Sequence, residues 1–472
     1  MREPDGLLGG SIAARIGGAA GQVYSSIARF TADQFGTNTL DQVHESASGN
    51  DGRLIGTARN HGTQHAAFIE PESSTALRFS PAQPTALQVW EPTPVDQIYV
   101  AFDVSQPVDQ PQDLRGREEE VTRLLSGVLH RRNHGIVSGP RGSGKTSLVR
   151  VFGQYADREG IVVLYSACDG GTTFGELLRG YLEQIPSSMI DADEIDLFDQ
   201  RVLSFGVDSS PHQATSLFAQ VKYSRIVIVL DEFDRVRDAV LHWKMASLLK
   251  LISDARLPVR FVLVGGNTAF ADVVREHPSL MRHITRVSTN PLSRAAILEL
   301  LDSCAQRCNV RFSSEAKRLI YEIACGSPYH ARLFGMHSAL AAARDGSNEV
   351  IPHNVETGLA EAFDEWAALN QEDAGTFRAI CEGSHGDPGP IVAFVKRFAN
   401  APEDQQTGDE SSSDSKSLQD GEDRMIPAFG SALTLDGDDV GFRDATAPQF
   451  LIALDAVSRR APANAPGATT SA

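Results

Sequence analysis

The sequence predicts an α/β domain, with a parallel sheet covered by helices on both faces, followed by an all-helical layer. Three observations carry this. Short apolar, β-branched runs at 135–138, 161–167, 225–230, 259–264 and 283–289 alternate with helical stretches. A glycine-rich loop stands between the first run and the helix that follows it. After Ser293 the apolar pattern becomes purely helical.

The totals bound what surrounds this domain. A length of 472 residues allows two or three domains and at least one full core. A hydrophobic share of 41% is ordinary and excludes a wholly disordered chain or a membrane bundle. No apolar run approaches the ~20 residues of a membrane helix. The start, Met1-Arg2-Glu3-Pro4-Asp5, lacks a basic leader with an apolar stretch behind it. Five cysteines without framework spacing fit reduced thiols. A cytoplasmic protein with no membrane partner is expected.

The net charge of −18 is unevenly spread. Residues 111–345 hold 29 Lys+Arg against 27 Asp+Glu, whereas residues 346–472 hold 8 against 22. The acidity therefore lies in the flanks. Nucleic-acid binding driven by whole-chain charge is disfavoured, and a local basic patch in the middle segment stays open.

In chain order, residues 1–110 read as a weakly ordered, low-complexity region. The stripe Ile12, Ile16, Val23 and Ile27 allows a small docking helix, and the alternative is a loose tail. Segments 86–90 and 97–102 read as short strands. Residues 111–292 form the α/β domain, opening with the amphipathic positions Val121, Leu124, Leu125 and Val128. Residues 191–210 read as acidic and irregular. Residues 293–370 form a helical lid with helices at 293–308, 313–325, 329–343 and 355–369. Residues 371–460 give helices around a Gly-Asp-Pro-Gly turn and a hairpin at 432–442, which fits either a winged helix or an irregular helical extension. Residues 401–424, with eight acidic side chains, read as a solvated disordered insert, and 461–472 as a disordered tail.

The chemistry is concentrated in two motifs. Gly139-Pro140-Arg141-Gly142-Ser143-Gly144-Lys145-Thr146 fits G-x-x-x-x-G-K-[ST], the phosphate-binding P-loop, with a strand before it and a helix after it. Glycines let backbone N–H groups turn around phosphate oxygens, and the helix aims its positive end at the same place. Lys145 is the first of only seven lysines in the chain, so its place here is not a by-product of a lysine-rich sequence. It supplies a mobile charge to the β- and γ-phosphates, and Thr146 offers a hydroxyl to Mg²⁺. Gly139, Pro140, Arg141, Gly142, Ser143, Gly144, Lys145, Thr146 and Ser147 are the expected nucleotide contacts, with ATP and Mg²⁺ the expected ligands. The second motif is the buried run 225–230 ending in Asp231-Glu232. Asp231 is expected to hold Mg²⁺, and Glu232 to polarise the attacking water. The distance in sequence between Lys145 and Asp231 leaves room for an intervening strand, which suits the class with an additional central strand and a catalytic glutamate.

Two weaker candidates follow the fourth run. Asn267 is placed to meet the γ-phosphate or the lytic water, or is a plain turn residue. Arg282, in Ser279-Leu280-Met281-Arg282 before the fifth run, is either a surface arginine or a finger reaching a neighbouring subunit's γ-phosphate.

Over roughly 114–369 the sequence resembles the AAA+ ATPases. The branch holding the initiator- and clamp-loader-like and bacterial "AAA domain 16" ATPases is most similar, and the STAND switch ATPases are near relatives. The carriers are 114–118, the P-loop, Leu230-Asp231-Glu232, Asn267, Ser279 to Arg282, and Gly326-Ser327-Pro328-Tyr329 in the lid. The resemblance implies ATP bound between an α/β domain and a helical lid, hydrolysis coupled to conformational change or partner remodelling, and assembly of copies on ATP binding. It leaves the protein partner undefined and nucleic acid open. One position departs: the second-sensor arginine expected three residues after Gly326 is Tyr329, with Arg332 nearly one turn further on. That departure admits an alternative, a slow-hydrolysing STAND-like nucleotide switch. Cys304, Cys308 and Cys325 read as buried small apolar residues rather than metal ligands.

Overall fold

The computed structural model describes residues 92–266, 270, 278–383, 395, 396, 398, 399, 427–436 and 439–460. Readings that fall elsewhere, on 1–30, 86–90, Asn267, 401–424 and 461–472, lie outside the described residues.

Five parallel strands form the central sheet: β1 (His134–Ser138), β2 (Val162–Ala167), β3 (Ile226–Asp231), β4 (Val259–Gly265) and β5 (Ile284–Ser288), in the order β2-β3-β4-β1-β5. The strand inserted between β1 and β3 is β4, which follows Asp231 in sequence, whereas the strand within the Lys145-to-Asp231 segment, β2, lies at the edge of the sheet. Every residue of β3 and β4 is buried, which is why they read as continuous apolar runs instead of alternating ones. One face packs against α2 (Glu118–Leu125) and α3 (Lys145–Arg158). The other packs against α4 (Phe174–Leu182), α5 (Ile195–Leu203), α6 (Pro211–Phe218) and α7 (Ala239–Asp254). Helix α5 lies within the segment expected to be irregular. Its buried Phe198 and Val202, at i and i+4, give it an apolar side that the surrounding acidic residues mask in the sequence.

The lid has α8 (Arg294–Arg307), α9 (Ser314–Ala324), α10 (Pro328–Arg344) and α11 (Pro352–Leu369). It is not purely helical: β6 (Arg311–Phe312) and β7 (Glu349–Val350) pair in parallel between helices. A second correction concerns 97–102, expected as a strand. Residues Pro94–Ala101 form a helix, α1, started by a Thr93–Asp96 capping box with Pro94 in its first turn. Ile98, Ala101 and Phe102 recur at helical spacing and are buried in the lid core. The run Gln-Ile-Tyr-Val-Ala-Phe has strand-like composition, but its burial follows the helical period. Beyond the lid come α12 (Gln371–Gly383), the antiparallel hairpin of β8 (Leu433–Asp436) and β9 (Asp439–Phe442), and α13 (Ala447–Arg460). Phe377, Phe429, Phe442 and Phe450 bring these elements into the lid's apolar core.

Two buried histidines make the fold acid-sensitive. His134 on β1 contacts the Leu249 carbonyl at 3.0 Å and accepts from the Phe261 N–H at 3.0 Å. Burial, and then the charge of Arg260, push its pKa down to about 3. Burial likewise pushes His330 down to about 3. The unfolded chain therefore binds more protons between about pH 6.5 and 3, and each contribution, full above that window, is lost as pH falls through it. The loss reaches at most about 1.4 kcal/mol per pH unit for each histidine. Urea midpoints should fall between pH 7 and 5, and less steeply in His134→Gln. Equal slopes in the two proteins would remove His134 from the account.

Candidate functional site

Both motifs open into one cavity of about 630 Å³, the size range of small-molecule sites. It lies at the carboxyl ends of the parallel strands, the edge where ligands bind in open α/β sheets. Residues 139–147, Asp231 and Glu232 all line it, together with the segment after α1, Arg115, and Tyr329 and Arg332 of the lid.

The loop is held open by its own geometry. Gly144, the residue before α3, has φ +88°, a conformation in which a side chain is strained. A Cβ on Gly139 would sit 2.1 Å from Thr289 Oγ1, so only glycine lets the loop leave β1 beside the end of β5. Ser143 Oγ donates to the Pro140 carbonyl at 2.7 Å and lies 2.7 Å from Thr289 Oγ1. Arg117, 3% exposed, donates to the Ser143 carbonyl at 3.0 Å and to the Asn290 carbonyl, and pairs with Glu120 at 3.0 Å. Arg117 thus ties the segment before α2, the P-loop and the turn after β5 together. The sequence marked the 114–118 stretch but not this role, because the partners are backbone carbonyls with no residue-type signal.

Lys145 Nζ donates to the carbonyls of Gly139 at 3.0 Å and Pro140 at 2.9 Å, inside the loop. Burial lowers its pKa, opposed by the charges of Asp234 and Asp231. Asp234 was not singled out in the sequence; the 3₁₀ turn Phe233–Arg235 carries it to the cavity wall.

Across the cavity, Asp231 is 3% exposed and ends β3. Its Oδ2 accepts from Thr146 Oγ1 at 2.8 Å and from the Tyr165 hydroxyl at 2.6 Å, and its Oδ1 accepts from the Glu232 N–H at 2.8 Å. Burial and the hydrogen bond to Asp231 raise the Tyr165 pKa, so the phenol remains a donor. Tyr165, which holds Asp231 without lining the cavity, was missed by sequence reasoning, since nothing in the run 161–167 distinguishes it from a packing aromatic. Glu232 has φ +53°, left-handed for a non-glycine residue, and pairs with Arg235 at 3.1 Å. That turn carries Glu232 off the strand direction and into the cavity lining.

The oxygen donors suit a hard, small cation. Thr146 and Asp231 present hydroxyl and carboxylate oxygens 2.8 Å apart at the cavity wall. Among the described residues no group of three or more His, Cys, Asp or Glu is placed to hold a metal unaided. Magnesium bound by one carboxylate and a hydroxyl, with the remaining positions left to phosphate and water, matches that set.

The lid closes one side. A Cβ on Gly142 would meet Ser327 Oγ at 3.3 Å and Tyr329 Cβ at 3.4 Å. Arg332 donates to the carbonyls of Asp103 and Asp113 at 3.4 Å each. Ser147 Oγ accepts from the Val108 N–H at 3.1 Å, fixing the other wall. Arg282 is exposed, on the 3₁₀ turn Pro278–His283 in front of β5, and does not line the cavity.

Residues 113–264 match the family model of the AAA ATPase domain. No curated protein matches the chain. Solved structures similar to it include a Walker-type ATPase of Pyrococcus abyssi, with 14% identity over 75% of this chain and 99% of that one and a TM-score of 0.45. The ORC2 protein of Aeropyrum pernix, in its ADPNP-ADP complexes, has 16% identity over 76% and 97% of the two chains, TM-score 0.40. The RuvB Holliday junction branch migration motor of Thermotoga maritima has 16% identity over 71% and 95%, TM-score 0.37. Among the described residues no helix is long and apolar enough to cross a membrane.

Proposed function

We propose that the AAA ATPase domain of this chain binds ATP with Mg²⁺ and hydrolyses it, coupling hydrolysis to movement of the lid against the sheet. The observation that carries the reading is the convergence of Lys145, Thr146, Asp231 and Glu232 on one cavity that the lid residues Tyr329 and Arg332 also line. The amides of the glycine loop and Lys145 bind the phosphates, and Thr146 and Asp231 hold the metal, whose contribution is to neutralise charge developing on the phosphoryl oxygens. Glu232 orients and polarises the attacking water once a bound nucleotide draws Arg235 away. Asn267 is assigned to the γ-phosphate or the lytic water, and Arg282, exposed and outside the cavity of its own chain, to a neighbouring copy's nucleotide, the alternative being a plain surface arginine. Phosphate release from ATP should require Mg²⁺ and cease on its chelation, and a non-hydrolysable ATP analogue should enlarge the particle relative to ADP. A chain that binds neither nucleotide in titration calorimetry ends the reading; a monomer in both states ends the role of Arg282.

A second reading is favoured by one feature. Arg332, the nearest lid arginine to the position held by Tyr329, is engaged with backbone carbonyls. A lid wired in this way suits a slow STAND-like switch that regulates an as yet undefined partner. Turnover well below about one per minute, with partner binding or assembly that differs between ATP and ADP, distinguishes it from the first reading.

A further inference from the structure

At the opposite edge of the sheet, where the parallel strands begin, four arginines surround a second, smaller cavity. It has a volume of about 80 Å³ and is lined by Arg132, Arg225, Arg256 and Arg260 over an apolar floor that includes Leu129 and Ile161. Arg132 precedes β1, Arg225 precedes β3, Arg256 precedes β4 and Arg260 is the second residue of β4. The nucleotide cavity lies at the other ends of these strands, so the two are separate.

Several features of this cavity need a reason. Arg260 is 8% exposed. It donates to the Arg132 carbonyl and, at 2.7 Å, to the Leu257 carbonyl. Burial, and then the charge of Arg132, push its pKa down to about 10, and no carboxylate offsets either. Arg225 donates to the Leu129 carbonyl at 2.8 Å, and its nearest carboxylate, Glu159, is 4.0 Å away. Arg132 and Arg256, both exposed, have no ion-pair partner among the described residues, so Arg260 is the buried member of the group. A buried cation beside other cations, without a counter-charge, is an unfavourable arrangement for a fold to keep.

The backbone adds an independent observation. Arg132 has φ +58° and Arg256 φ +52°. Arg256 is the first residue past the C-cap of α7, with the Leu257 N–H closing onto the Ile252 carbonyl at 3.1 Å. Arg132 occupies the corresponding place after the π-helical turn Ser126–His130, where the Asn133 N–H reaches the Gly127 carbonyl at 3.0 Å. Glycine is the residue such positions favour. Attraction of a cation to a helix C-terminus explains one arginine at each end. It does not explain why both converge with Arg225 and a buried Arg260 on one cavity.

We infer that these four arginines form an anion site that takes a phosphate group. The cavity has room for roughly two or three water molecules' volume, which suits one phosphate and not a whole nucleotide. Guanidinium forks match phosphate oxygens in geometry and charge. The phosphate comes either from a nucleic-acid backbone or from a small free anion, and the experiment separates the two.

The test compares the full chain with an Arg132→Gly/Arg256→Gly variant, both with Mg²⁺ and ADP at one fixed concentration. Glycine is favoured at both backbone conformations, so the variant keeps or raises its melting temperature without added phosphate. Inorganic phosphate should raise the melting temperature of the unaltered chain by about 2 °C, and that of the variant by less than half as much. In a second arm, a labelled mixed-sequence duplex of about 20 base pairs is titrated at several salt concentrations. At least tenfold weaker binding by the variant, with a salt slope shallower by about two, assigns the phosphate to nucleic acid. Phosphate stabilisation without duplex binding assigns it to a free anion. Equal stabilisation of both proteins by phosphate overturns the site. If the double variant does not fold, Arg256→Gly alone carries the same comparison.

Discussion

Glu232→Gln should leave Mg·ATP affinity within about twofold of the unaltered chain and lower turnover by about 10²–10⁴-fold, the range associated with losing a positioned general base. The two carboxylates at the end of β3 are adjacent in sequence, yet their surroundings separate them. Asp231 is buried and accepts from three donors, Thr146, Tyr165 and its neighbour's N–H. It is held in place and has no free geometry with which to follow a water. Glu232, turned out by its left-handed backbone, is about half exposed and engaged with one exposed partner, Arg235. An exposed pair of this kind is weak, so its rearrangement costs little. Glutamine keeps the volume and the backbone conformation and removes the negative charge that polarises water. Binding and turnover therefore separate, and single-turnover phosphate release measures the difference. Turnover at the unaltered rate would take the general-base role away from Glu232.

The same contrast explains how much could be read from the sequence. The P-loop was legible because its chemistry demands residue types at fixed spacing: glycines where a Cβ would collide, as at Gly139, and one lysine at the start of a helix. The end of β3 was legible because a strand buried on both faces has to be a continuous apolar run, which makes its terminal carboxylates conspicuous. What escaped depends on contacts distant in sequence. Tyr165 meets Asp231 only because β2 and β3 are paired in register, with Tyr165 opposite Val229. Arg117 acts on the backbone carbonyls of Ser143 and Asn290, which carry no residue identity. Helix α1 was misread because β-branched and aromatic residues favour strands locally, whereas its docking against α8 and α10 selects the helical period. Local propensity fails where a tertiary partner sets the outcome, and residue types at fixed spacing are readable where the backbone itself imposes them.

Lys145→Ala should weaken Mg·ATP and Mg·ADP alike by at least about 10²-fold, the equivalent of losing roughly 3 kcal/mol of charge-assisted hydrogen bonding. Lys145 Nζ is held within the P-loop by the carbonyls of Gly139 and Pro140, with Asp231 and Asp234 as the nearby opposing charges. No other lysine lines the cavity among the described residues. Arg141, Arg115 and Arg332 line its margins, but Arg332 is engaged with the carbonyls of Asp103 and Asp113, and Arg115 pairs with Glu299 at 3.3 Å. Neither is free to replace a point charge inside the loop. Lys145→Arg should not restore affinity, because a planar fork cannot occupy the space of an ammonium between two loop carbonyls. The loop's shape should survive both substitutions, since Ser143, Thr289 and Arg117 hold it without the lysine. Calorimetric titration with each nucleotide measures the loss, and an unchanged far-ultraviolet spectrum and melting temperature without nucleotide separate it from unfolding. A Lys145→Ala chain that binds Mg·ADP as tightly as the unaltered chain would mean that the phosphates are gripped elsewhere.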